Sequence, residues 1–100
     1  MTMYQGDTIT LRAEFREATE GGSPGGYYDP GGLVVRVYDS RRRLLDAQPA
    51  EVKRASLGVY EAAYTLPMGQ EAIKVAWTGV DGQGHPIRAA VTIEGIEWAQ

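Results

Sequence analysis

Apolar and polar residues alternate with a period of two along most of the chain, the pattern of strands buried on one face. From Thr8 to Phe15, Ile9, Leu11, Ala13 and Phe15 fall on one side, with Thr8, Thr10, Arg12 and Glu14 on the other. Leu33 to Asp39 places Leu33, Val35 and Val37 inward and Arg36 outward. Gly58 to Leu66 sets Tyr60, Ala62, Tyr64 and Leu66 against Glu61 and Thr65. Ala72 to Thr78 sets Ile73, Val75 and Trp77 against Lys74. Ile87 to Glu94 turns Ile87, Ala89, Val91 and Ile93 inward and Arg88, Thr92 and Glu94 outward. Arg43 to Ala47 and Ala50 to Arg54 are weaker candidates, so about seven strands are expected.

Turn residues punctuate these runs. Asp39-Ser40 before Arg41-Arg42-Arg43 reads as a hairpin tip. Pro67 ends a strand, since it has no N–H to give to a ladder. Asp81-Gly82-Gln83-Gly84 reads as a tight turn. The segment Glu14 to Glu20 holds helix formers, but its apolar spacing follows a strand. Strands at regular spacing with one polar face each predict an all-β domain, two antiparallel sheets packed face to face and wet outside.

One segment breaks the alternation. Residues 20–32 read Glu-Gly-Gly-Ser-Pro-Gly-Gly-Tyr-Tyr-Asp-Pro-Gly-Gly, with six glycines in thirteen positions. That composition predicts a flexible Gly-rich loop. Tyr27 and Tyr28 within it have two readings. They fold back as a lid on the end of the sandwich, or they serve as interface anchors, since Tyr is enriched at contact hot spots.

Length and composition narrow the class. One hundred residues make a single domain spanning 1–100, and a chain of this mass folds to a surface of about 5,600 Å² from about 15,800 Å² unfolded. The chain has no cysteine, so neither a disulfide nor a thiolate metal site stabilises it. A net charge of −3 argues against a nucleic-acid or acidic-membrane partner. Eight Arg against two Lys, with no Asn, fits either high-GC coding or heat tolerance. The opening residues Met1 to Asp7 lack the basic and apolar regions of a signal peptide, so synthesis and retention inside the cell are expected.

Candidate chemistry is sparse. His85 is the only histidine, and a general base needs an orienting partner; Asp81, across the turn, is the nearest candidate. One histidine and scattered carboxylates give no metal-ligand spacing, and the glycines of 20–32 lack the strand-to-helix context of a phosphate cradle. No enzyme, cofactor or metal is expected. Arg41, Arg42 and Arg43 form the one charge cluster, read either as a solvated tip or as a contact with an acidic surface of a partner protein, for which Arg forks are suited. Trp77 belongs to the core by its alternation with Ile73 and Val75. Ile96 and Trp98 follow the last good strand, and an apolar ring there docks on its own domain or on a neighbour.

Four stretches in order carry a family resemblance: Gln5-Gly6-Asp7-Thr8-Ile9-Thr10-Leu11; Asp29-Pro30 with Leu33-Val34-Val35-Arg36-Val37-Tyr38-Asp39; Gly58-Val59-Tyr60-Glu61 with Tyr64-Thr65-Leu66-Pro67; and Trp77-Thr78-Gly79. In these the chain resembles the small immunoglobulin-like structural proteins of tailed bacteriophages and prophages. The resemblance implies an immunoglobulin-like antiparallel β-sandwich without catalytic residues. It further implies a virion part, made in the host cytoplasm, that binds capsid, connector or tail proteins as a symmetric homo-oligomer. The expected contact residues are Tyr27, Tyr28, Arg41, Arg42, Arg43, Ile96 and Trp98. The alternative is one repeat of a bacterial surface adhesin or a carbohydrate-binding module.

Overall fold

The structure, a computed structural model, describes residues 2–19, 21 and 24–97. Its strands are β1 (Met3–Tyr4), β2 (Thr8–Glu14), β3 (Arg16–Ala18), β4 (Pro24–Tyr27), β5 (Gly31–Tyr38), β6 (Lys53–Ser56), β7 (Val59–Thr65), β8 (Ile73–Val80), β9 (Pro86–Ile93) and β10 (Ile96–Glu97). Two three-stranded antiparallel sheets, in the orders β2-β7-β6 and β5-β8-β9, make up the body. Two small sheets complete it: the antiparallel pair β3-β4, and β1 running parallel to β10. The domain is all-β, as the alternation predicts.

The inward rows of the two main sheets meet in one core. It contains Leu11, Ala13, Ala62 and Tyr64 from one sheet and Val35, Val37, Ile73, Val75 and Trp77 from the other, closed by Phe15, Leu66 and Ile96. Phe15 sits edge-on to Tyr28 and Tyr60, with ring centroids 6.3 and 6.1 Å apart, the geometry favoured by aromatic quadrupoles. Tyr64 satisfies its buried hydroxyl by donating to the Ala47 carbonyl at 3.0 Å. Burial of its ring raises the Tyr64 pKa.

Four sequence expectations are corrected. The Gly-rich stretch is not simply a loop. Pro24–Tyr27 pairs with Arg16–Ala18, and Gly31 already begins β5. Close packing explains why glycine serves a strand here, since a Cβ at Gly25 would lie 2.7 Å from the Glu17 carbonyl oxygen. Arg43 to Ala47 is not a strand; it makes a single bridge, Leu44 to Tyr38. The second weak strand starts later, at Lys53.

The fourth correction concerns β9. Ala89 and Val91 lie opposite Trp77 and Val75 and so share their core-facing side, yet both are exposed. The three-stranded β2-β7-β6 sheet does not extend over them. The chain exposes 6721 Å², roughly a fifth above the ~5,600 Å² expected for its mass, and its extents of 48 × 26 × 24 Å describe an elongated body.

Other edges are closed by local devices. Gln48 presents its side-chain amide to β5 as a strand would: its Oε1 accepts the Val37 N–H and its Nε2 donates to the Val37 carbonyl, both at 3.0 Å. Gln5 is 2% exposed, and its backbone N–H and both ends of its side-chain amide are hydrogen-bonded. Its N–H bonds Glu97, its Oε1 accepts the Gly69 N–H at 3.1 Å and its Nε2 donates to Gln70 at 3.3 Å. That amide ties β1 to the loop before β8.

Candidate interaction surface

At one end of the sandwich, Asp29 joins three segments. Its Oδ1 accepts the Gly58 N–H at 2.9 Å, and both oxygens accept from Arg54 Nε at 3.1 Å. The Gly58 amide and then the Arg54 guanidinium hold the Asp29 carboxyl below its usual pKa. Gly58 has φ +71, and a Cβ there would meet the Phe15 carbonyl oxygen at 2.8 Å and the Tyr27 Cβ at 2.9 Å, so the turn admits only glycine. Tyr27 carries Arg16 against its ring, with the guanidinium carbon 4.3 Å from the centroid and a hydrogen bond from Arg16 to the Tyr27 hydroxyl. Both tyrosines are half-buried. Burial, then the charges of Asp81 and Glu17, raise the Tyr28 pKa.

An open cleft of about 610 Å³ lies beside this cluster, lined by Arg16, Glu17, Tyr28, Asp29, Asp81 and Ile87 among others. Its aspartates have structural duties. Asp81 Oδ1 accepts the N–H groups of Gln83 and His85 at 2.9 and 2.8 Å, and the His85 amide, ahead of the others, lowers its pKa. His85 Nδ1 stands 3.5 Å from Asp81 Oδ2 with its side chain 70% exposed, so the partner suspected from the turn is in place, at a distance beyond a good hydrogen bond. Among the described residues no group of three or more His, Asp or Glu is arranged to hold a metal ion.

The Arg41–Arg43 segment is a tight turn built on Asp39. The Asp39 Oδ1 accepts the N–H groups of Arg41 and Arg43 at 2.8 and 2.9 Å, and Arg43 Nε lies 3.4 Å from Oδ2. Backbone donation from Arg43 is the main reason the Asp39 pKa is lowered. Arg42 takes φ +67, a left-handed turn position. All three arginines are exposed. Ile96 is corrected as a contact residue: at 3% exposed it completes the core, with its N–H bonded to Glu71. Trp98 lies outside the described residues.

A larger feature emerges once the registers are known. The outer face of β5-β8-β9 carries Arg36, Lys74 and Arg88 around a floor of Ala76 and Ala90, which lie in one row with Arg36. No carboxylate occupies a strand position on that face, and none of the three cations forms an ion pair among the described residues. The β2-β7-β6 outer face behaves differently. Arg12 lies 3.6 Å from Glu14 and 3.9 Å from Glu61, Lys53 is in register with Glu61, and Thr8 bonds Thr65 at 2.9 Å. One sheet pairs its charges within the face; the other sets three cations against Glu94 alone, one residue past the end of β9. The alternation marks each of these cations as outward, but only the strand order β5-β8-β9 brings them together. Arg41 and Arg42 lie just beyond the Tyr38 end of the same sheet.

Comparison of the chain with protein-family models, curated proteins and solved structures finds no match.

Proposed function

We propose that this chain is a non-enzymatic structural protein of a tailed-phage particle, a rigid immunoglobulin-like sandwich that binds acidic surfaces of neighbouring particle proteins. The observation that carries the binding part is the outer face of β5-β8-β9, which gathers Arg36, Lys74 and Arg88, none of them in an ion pair among the described residues, on a domain of net charge −3. Like charges gathered on one face repel each other, and an acidic partner removes that repulsion while steering encounter. Small alanines between the cations let a flat partner approach closely. Arg41 and Arg42 extend the basic surface at the β5 end, and Tyr27 and Tyr28 offer a second, aromatic contact at the sandwich end.

The immunoglobulin-like assignment is part of this reading. The orders β2-β7-β6 and β5-β8-β9 correspond to the B-E-D and C-F-G sheets of such sandwiches. The short β1 beside β10 then takes the place of the first strand. The phage assignment rests on the sequence resemblance together with this architecture.

The test is direct. Particles purified on a gradient from cells carrying the gene are analysed for the protein by mass spectrometry. The triple variant Arg36→Glu, Lys74→Glu, Arg88→Glu is expected to fold and to be lost from the particles. Absence of the wild-type protein from particles overturns the virion reading. Undiminished incorporation of the folded triple variant overturns the basic face as its contact.

A further inference from the structure

The free edge of β9 is built to pair with another strand, and we infer that its occupant is the β9 edge of a second copy, antiparallel across a two-fold axis at Val91. Among the described residues the other long edges carry guarding devices over at least part of their length. Gln48 and the 44–48 segment cover the Val37 end of β5, β6 starts on Lys53 and Arg54, and β2 carries Arg12 and Glu14. Charges and covering segments are how sheets avoid unwanted pairing. β9 has its own guards at its start, Pro86 and Arg88, but the stretch Ala89-Ala90-Val91-Thr92 that follows has neither charge nor cover.

The inner row of β9 shows the same vacancy from another direction. Val91 faces the core side opposite Val75, which is 0% exposed, but is itself 53% exposed. Ala89 beside it is exposed as well, while Ile87 and Ile93 at the two ends are partly covered. A strand added to this edge continues the sheet and shields the row, the mode known as β-augmentation.

Charge complementarity identifies the second copy. An antiparallel pair centred on Val91 places Arg88 directly opposite Glu94 of the second copy, and Glu94 opposite its Arg88. Arg88 lies on the outer face by its register opposite Thr78, continued alternation puts Glu94 on the same side one residue past the strand, and both are exposed in the single chain. On the inner face the same register sets Val91 against Val91 and Ala89 against Ile93. Period-two alternation keeps both rows on their own faces throughout. β9 ends at Ile93, so the Arg88–Glu94 pairs form when the added strand extends the pairing by one residue, up to the turn at Gly95, which takes φ +72. The contact is one strand pair, below the 1,200–2,000 Å² of a standard stable interface. Association is therefore weak and rises with concentration.

Sedimentation velocity over roughly a hundredfold concentration range, wide enough to cross a weak dissociation constant, tests this. The wild type is expected to shift from monomer to dimer. Arg88→Glu alone or Glu94→Arg alone sets like charges opposite each other twice per dimer, and each is expected to weaken association about tenfold. The double variant restores the charge pairs in exchanged positions and is expected to recover dimerisation. A mixture of the two single variants should associate more tightly than either by itself. All the changed positions are exposed, so melting temperatures measured alongside should not move. A wild type that stays monomeric throughout overturns the inference. So does a dimer indifferent to the single variants, or one the double variant fails to rescue. The inference does not depend on the virion reading, which is tested by incorporation into particles and can fail separately.

Discussion

Val75 and Val91 face each other in register on neighbouring strands and point to the same side of the sheet. They differ in what lies over them: Val75 is 0% exposed and Val91 is 53% exposed. Truncation to alanine at each position therefore measures the covering sheet and little else. Removing two methyl groups from a buried site forfeits ~1.6 kcal/mol at ~0.8 kcal/mol per CH₂. The incompletely filled space at Val75 adds about 1 kcal/mol more at ~24 cal/mol per Å³ of cavity. Val75→Ala should thus cost about 2–3 kcal/mol, or roughly 10–20 °C in melting temperature for a domain this size. At Val91 about half the transfer term is already forfeited to solvent and no cavity forms, so Val91→Ala should cost about 0.5–1 kcal/mol. Urea unfolding followed by tryptophan fluorescence gives both values, at a concentration low enough to keep the chain monomeric, with equal m-values confirming a shared unfolding transition. Equal costs at the two positions would refute the open inner row of β9 and remove the ground for strand pairing there.

Other positions give independent checks. Trp77→Ala truncates a ring that is 3% exposed and should cost about 3–5 kcal/mol, a large part of the ~5–15 kcal/mol available to a chain of this length; loss of the cooperative thermal transition is the expected readout. Gly58→Ala should cost about 2–4 kcal/mol, combining a left-handed backbone with overpacking against Phe15 and Tyr27. Gly69→Ala, at φ +85 with open space around the site, should cost only about 1–2 kcal/mol, so the difference in urea midpoint isolates the clash. Asp29 has a folded pKa below its ordinary 3.8. Its stabilisation is therefore complete above 3.8 and is lost as pH falls through the lowered folded value. Asp29→Asn, with no group to titrate, should flatten the acid limb of the urea midpoint against pH. An unchanged limb would show that the pairing with Gly58 and Arg54 does not survive in solution.

The alternation of Leu11-Ala13-Phe15 and of Ile73-Val75-Trp77 was enough to place those side chains in the core, with Ile9 partly buried beside them, because both strands have a sheet over them. The same pattern in Ile87-Ala89-Val91-Ile93 pointed to burial that the fold supplies in part at Ile87 and Ile93 and not at Ala89 and Val91. Periodicity reports which face a residue takes, not whether the opposing sheet reaches it. Residues 20–32 misled in the opposite way: their glycines suggested looseness, whereas Gly25 permits close packing of β4 on β3. Gln48 carried no local signal at all, since its role as a substitute strand exists only once residues 44–48 lie beside Val37. The basic face was hidden for a related reason. Arg36, Lys74 and Arg88 are far apart in sequence, and only the strand order makes them neighbours.

Arg88 belongs both to the basic face and to the β9 edge, so three single substitutions separate the two contacts. Lys74→Glu changes the outer face while leaving the β9 strand intact, and should weaken binding to an acidic partner without altering self-association. Glu94→Arg lies beyond the last strand residue of β9 and adds a cation rather than removing one. It should weaken self-association while leaving partner binding intact or stronger. Arg88→Glu should weaken both. Salt sharpens the distinction, because exposed charges are screened over about 8 Å at physiological ionic strength. Rising salt should erase the differences among all three variants and the wild type in partner binding. It should leave a residual self-association in the wild type, since backbone hydrogen bonding along β9 and the shielding of Val91 and Ala89 do not depend on charge. Lys74→Glu altering self-association as much as Glu94→Arg would mean that the two contacts are one surface, and that the edge does not act through β9 pairing.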